Sequence, residues 1–185
     1  DENTYRNRLR FNAKYRASNK LTLNFRSESE KKGDDVGFLQ KRNDDIHFGK
    51  RQVKSIENSV DLTYNIDNYK YLALKFRNFW SVASYDKILY SLLDNGMREI
   101  TDYSLLRNDP NTNFNLWNVD LTFDWWFSPG STITLQYKNQ IFNRDDQSTL
   151  NYYKSLKNLF EIPIEHQLSL RVNYLIDFNK LRKND

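Results

Sequence analysis

From Trp117 to Phe127 the odd positions read Trp, Val, Leu, Phe, Trp, Phe, while the positions between them begin Asn, Asp, Thr, Asp. Successive side chains of a strand point to opposite faces, so such a segment reads as a strand with one apolar and one polar face. Seven segments carry this pattern, on Leu9 to Ala17, Leu21 to Phe25, Ile56 to Ile66, Leu72 to Val82, Trp117 to Phe127, Ile133 to Ile141 and Leu168 to Phe178. None of the positions on their apolar registers is charged, although 28% of the chain is. Three are polar: Asn58, Asn78 and Asn139.

Two solvents could face such a row. A soluble sandwich hides it in a core, whereas a membrane barrel turns it to lipid. Strands of about 11 residues rise roughly 36 Å, which a tilt near 45° projects to about 25 Å, the height of an outer-membrane apolar band. Aromatic residues gather at the strand ends, as amphipathic rings do at a headgroup boundary. Tyr15, Tyr64, Trp125, Phe127, Tyr174 and Phe178 lie towards one edge, Trp80 and Trp117 towards the other.

The connections differ by edge as well. Residues 18–20, 67–68 and 128–130 are tight turns rich in Asn, Asp, Ser, Pro or Gly, as hairpins require. The stretches near 27–52, 84–113 and 143–165 read as long loops on the opposite edge, the extracellular one of a barrel. Within the last of these, Leu150, Tyr153, Leu156 and Phe160 fall near helical spacing and predict a short helix. The expectation is an all-β fold, a transmembrane antiparallel up-and-down β-barrel. Residues 1–185 would form the C-terminal portion, of about seven strands, in a larger barrel. An odd strand number and a first strand running from outside to inside both require further strands upstream.

The polar face then lines the lumen. Its charged residues are Arg6, Arg8, Arg10, Lys14, Arg16, Arg26, Glu57, Asp61, Lys75, Arg77, Asp120, Asp124, Lys138 and Arg171. Basic and acidic strands alternate, which favours pairing across the ladder.

Composition narrows the chemistry. No apolar run approaches the ~18 residues of a membrane-crossing helix. With no cysteine, a disulfide framework, Cys-ligated zinc and a thiol nucleophile are excluded. The net charge of +4 comes from interspersed signs, not from a polyanion-binding tail. "RLRFNAKYR" alternates cations with rings, but in a strand these point to opposite faces and cannot grip one nucleic acid together. A hydrolase at a barrel rim would draw on Asp44, Asp45 and His47, on Asp145 and Asp146, and on His166, an Asp-oriented His serving as base. Acidic pairs in exposed loops are ordinarily solvated, and no catalytic residue is assigned. "GDDVG" and "RNDD" supply oxygens without the spacing of a calcium loop. No cofactor is implied.

Several stretches also resemble a known family in order: "FGKRQV" (48–53), "LALKFRNFWS" (72–81), "LLDNGM" (92–97), "NVDLTFDWWFSPGSTITLQYKNQI" (118–141) and "LSLRVNYLIDFNKL" (168–181). The family is a Bacteroidota outer-membrane group that joins a carbohydrate-binding-like domain of the family-nine type to a C-terminal barrel of unknown function. Where the family commonly has a His-Tyr pair before the Trp at position 80, this chain has Asn78-Phe79. The resemblance implies the bacterial outer membrane as location, with outer-membrane lipid, glycan and other outer-membrane proteins as partners. Pore, membrane anchor or assembly scaffold is the expected role. A surface glycan-binding or uptake component and a soluble β-sheet binding protein are the alternatives.

Overall fold

The computed structural model describes residues 4–42, 45–102, 104, 106 and 108–176. Its strands are β1 (Tyr5–Arg16), β2 (Leu21–Arg42), β3 (Asp45–Asn65), β4 (Lys70–Leu92), β5 (Arg98–Thr101), β6 (Thr112–Ser128), β7 (Ser131–Asp145) and β8 (Glu165–Asn173), with one helix, α1 (Tyr152–Leu159), before the last. They form one antiparallel sheet in the order β1-β2-β3-β4-β6-β7-β8, with short β5 paired to β4. Each path strand neighbours the next in sequence, an up-and-down meander. The sheet is open: among the described residues, β1 and β8 do not pair with each other.

The tight turns form as their residues dictate. Ser128 pairs with Ser131, leaving Pro129-Gly130 as a two-residue turn with Gly130 at φ 76°. Pro presets the first corner and Gly alone takes the positive φ of the second without penalty. At 66–69 the carboxylate of Asp67 accepts from the Tyr69 backbone N–H at 2.8 Å, an Asx turn closing β3 onto β4. Ser18 Oγ plays the same part between β1 and β2, accepting from the backbone N–H groups of Lys20 and Leu21.

The opposite edge departs from expectation. The stretch near 27–52 is strand and not loop, because β2 continues to Arg42 and β3 starts at Asp45. Strands β2, β3 and β4 run 22, 21 and 23 residues, roughly twice the expected length and far beyond any apolar band. The extension lacks alternating hydrophobicity because ions hold it. Arg6 reaches Glu30 at 2.8 Å, Arg10 reaches Glu28 at 2.8 Å, and Arg8 reaches both carboxylates. Further up, Lys50 meets Asp34 at 2.9 Å and Arg51 meets Asp35 at 2.7 Å. Burial works against the Arg51 charge, but Asp35 and the Tyr85 hydroxyl outweigh it and hold the guanidinium pKa above its ordinary value. The loop expected at 84–113 is likewise shortened by the end of β4 and by β5.

The helix predicted within 143–165 forms, with a different inner face. Its buried residues are Ser155 and Leu159, and Tyr153 is exposed. The patch beneath it is polar, so an apolar stripe was the wrong guide to how α1 docks.

Among the described residues, no second layer covers the sheet outside the patch beneath α1. Among the described residues the buried apolar side chains are Trp80, Val82, Leu89, Ile141 and Leu159, all in the half away from the tight turns.

Candidate functional site

Strand register alone places the predicted charged residues. Across the sheet, Lys14 pairs with Asn24, Asn24 with Asp61, Asp61 with Lys75, Lys75 with Asp120, Asp120 with Lys138 and Lys138 with Gln167. The result is a lateral row in which acid and base alternate from β3 to β7. One step along the strands lie Arg26, Ser59, Arg77 and Asn118, with Arg77 Nε 3.4 Å from Glu57. On the other side of the row Thr134 donates to Asp124 and Arg171 sits opposite Thr134. Arg6, Arg8, Arg10 and Arg16 share this face on β1. All fourteen charged candidates therefore lie on one surface.

That surface is hollowed. Arg10, Lys14, Arg26, Glu28, Glu57 and Asp61 contribute to a cavity of ≈ 690 Å³, and Asn118 and Asp120 border two smaller ones. Asn118 Oδ1 is buried there without a hydrogen-bond partner among the described residues.

The opposite face carries the apolar rows, such as Tyr15, Leu23, Leu62, Leu74, Leu121, Tyr137 and Leu168. It is bare. Leu9 is 76% exposed, Leu168 71%, Val172 57% and Trp125 37%. At the turn edge the aromatic candidates cluster: Trp125 and Phe127 lie 5.9 Å apart, Phe127 stacks on Tyr174 at 6.3 Å, and Lys70 Nζ sits 5.5 Å from the Trp125 ring centre. Tyr15 and Tyr64 stand on the same face near that edge. Phe178 lies outside the described residues.

Trp80 and Trp117 mark the other limit of the apolar rows, and there the structure adds what the sequence did not disclose. Trp117 lies 4.9 Å from Phe160, just past the end of α1, and Trp80 is buried against Tyr152, with its Nε1 donating to Asn113 at 3.1 Å. Between them α1 sits on a polar cluster. The Tyr152 hydroxyl donates to Asn78 Oδ1 at 2.7 Å and accepts from Asn58 Nδ2 at 3.2 Å, while Asn78 Nδ2 donates to Asn115. Ser155 Oγ donates to Asn113 and accepts from Asn115. Burial pushes the Tyr152 phenol above its ordinary pKa, against the effect of the Asn58 bond. The signal was present: Asn58 and Asn78 are two of the three polar exceptions on the apolar rows. On the reverse side the change is complementary, with Phe79, Phe114, Leu116 and Phe142 in line with the charged residues.

The imidazoles take other partners than the hydrolase reading required. His47 Nδ1 lies 3.1 Å from Ser91 Oγ, and His166 Nδ1 lies 2.7 Å from the Tyr137 hydroxyl. Asp145 accepts from Asn113 and Asn143. Asp44 lies outside the described residues. No group of three metal-ligating side chains occurs among the described residues.

A domain family of unknown function, DUF5916, matches residues 1–185. The chain belongs to this family. Comparison with curated proteins and with solved structures returns no match. The family match extends over the charged rows, the bare apolar face and the α1 cluster alike, so all three are features of one DUF5916 domain.

Proposed function

We propose that this DUF5916 domain is a length of transmembrane β-barrel wall in a bacterial outer membrane, serving as pore, membrane anchor or assembly scaffold. Its apolar rows face lipid and its charged rows face the lumen. The observation that carries the reading is the uncovered apolar face. A face on which the edge-strand residues Leu9, Leu168, Leu170 and Val172 are more than half exposed would cost about 25 cal/mol for every Å² of apolar surface left in water. A soluble binding sheet would cover it with a second layer, and the described residues supply none. Hydrocarbon removes that cost, and a charge on the same face would cost roughly 2 to 4 kcal/mol at the midplane, which accounts for the segregation. The unpaired outer edges of β1 and β8 are joined to further strands, since an open edge does not persist in hydrocarbon.

Within this reading, a role in glycan binding or uptake draws support from the resemblance to proteins with a carbohydrate-binding-like domain. The lumen would contribute alternating charge, suited to polar solutes.

The absence of native cysteine makes a direct test simple. Single cysteines replace Val119, Asp120, Leu121 and Thr122 in turn, and the reconstituted protein is treated with a charged, water-soluble maleimide. Positions 120 and 122 should label and 119 and 121 should not. Equal labelling of all four in sealed vesicles would remove the proposal.

A further inference from the structure

Beyond the apolar rows, on the same face, the segment leading into α1 encloses a groove of ≈ 1050 Å³ against β1, β2, β3 and β4. Lys31 and Lys54 line it, and the ladder sets them directly opposite each other. Like charges so placed repel, their Cβ atoms being about 4.5–5.5 Å apart. Elsewhere in the extension cations face carboxylates, yet among the described residues no acidic side chain lines this groove. Lys31 instead lies 5.8 Å from the centre of the Tyr5 ring.

The other contributors are rings and hydroxyls. Tyr153 is 78% exposed, leaving a ring face free to stack on a sugar, and Ser148 and Thr149 add hydroxyls. Trp80 closes the base, its N–H already given to Asn113. Two unopposed ammonium groups call for an anion with several acceptor oxygens, and the flanking rings and hydroxyls call for a sugar. The geometry points to a binding site for the phosphorylated sugar headgroup of a membrane glycolipid. The groove's chemistry stands by itself, while the lipid source rests on the barrel-wall reading, which puts the groove just past the apolar band where headgroups lie.

The test reconstitutes the intact protein in phosphatidylethanolamine vesicles containing a phosphorylated glucosamine-disaccharide lipid and measures the lipid retained after detergent extraction. Parallel arms use the same lipid after phosphatase treatment and the free phosphorylated disaccharide without acyl chains. Lys31→Gln combined with Lys54→Gln should lower retention of the phosphorylated lipid roughly tenfold or more, the loss of two charge-assisted contacts. Lys157→Gln, on the exposed side of α1, should retain it as the parent does. Without lipid the double variant should unfold no more easily than the parent, because a repulsion has been removed. Equal retention by parent and double variant overturns the inference, as does equal retention of the dephosphorylated lipid. Tighter lysine-dependent binding of the free disaccharide overturns the lipid source. A protein that stays out of vesicles overturns the barrel wall instead, an outcome read separately from lysine dependence.

Discussion

On β4, Leu72, Leu74 and Phe76 share a face with Asn78 and Trp80, yet the first three are only half-buried, among their in-sheet neighbours, and the last two lie fully buried beneath α1. The reverse of the sheet changes in the opposite sense, from Lys75 and Arg77 to Phe79. The turn-side half thus presents an apolar face with no cover and a charged face with hollows, and the loop-side half covers what it buries with its own helix. Along one unbroken hydrogen-bond ladder the strand thus exchanges the character of its two faces. On the proposed reading that boundary is the edge of the membrane, near the level of Asn78.

The largest effect expected is on the turn-side half. Leu121→Arg places a charge in the middle of the bare face and should cost about 2 to 4 kcal/mol in a bilayer, seen as lost insertion or a lowered urea midpoint for vesicle-bound protein. Thr122→Arg, one residue along on the charged face, should change that midpoint by less than about 1 kcal/mol. Similar losses at both positions would mean that the two faces meet the same medium.

The difference between the halves also explains how far the sequence could be followed. In the turn-side half one face is apolar and the other polar throughout, so period-two alternation revealed the strands, their registers and the sharing of one face by residues as distant as Arg6 and Arg171. In the loop-side half the determinants are pairwise. Glu28 and Glu30 extend β2 because Arg6, Arg8 and Arg10 stand across from them, and no hydropathy pattern marks such a strand. Gly33 is kept small by the Tyr5 ring lying where a side chain would go, a partnership between residues far apart in sequence. Asn58 and Asn78 were visible as exceptions, but their reason, the Tyr152 hydroxyl, comes from a helix tens of residues away. Lys31 went unnoticed because its stretch read as loop, and Lys54 because it precedes the alternating segment that begins at Ile56.

A second variant sharpens the contrast at intermediate size. Asn78→Leu removes the acceptor of the Tyr152 hydroxyl and the donor to Asn115, leaving buried polar groups unmatched at about 1–3 kcal/mol. Hydrogen exchange should accelerate across α1 while β6 and β7 near Pro129 stay protected. Asn139→Leu serves as the counterpart, because Asn139 lies on the same face among the bare rows, between Val119 and His166. There leucine should be neutral or stabilising. If both substitutions loosen α1 alike, or neither does, the polar cluster is not what holds the helix.

The smallest effect is electrostatic and tests whether the halves are separated at all. Asp67, in the turn between β3 and β4, is held below its ordinary pKa chiefly by the Tyr69 backbone N–H and further by Lys70. Asp102, beyond β5 at the opposite edge, is lowered chiefly by the Ser104 backbone N–H. For each, the folded carboxylate is favoured over its unfolded counterpart, so the stability it contributes is present above the unfolded value near ~3.9 and is lost as pH falls through the lowered folded value. Both carboxyls are open to solvent, so the change is small, and Asp67→Asn and Asp102→Asn should each flatten the response by removing the titration. In sealed vesicles with the protein in one orientation, acid added outside should protonate only one of the two, read by local hydrogen exchange at 66–70 and at 100–104. Titration of both from the same side would place the two edges of the sheet in one aqueous compartment, and no membrane would then lie between them.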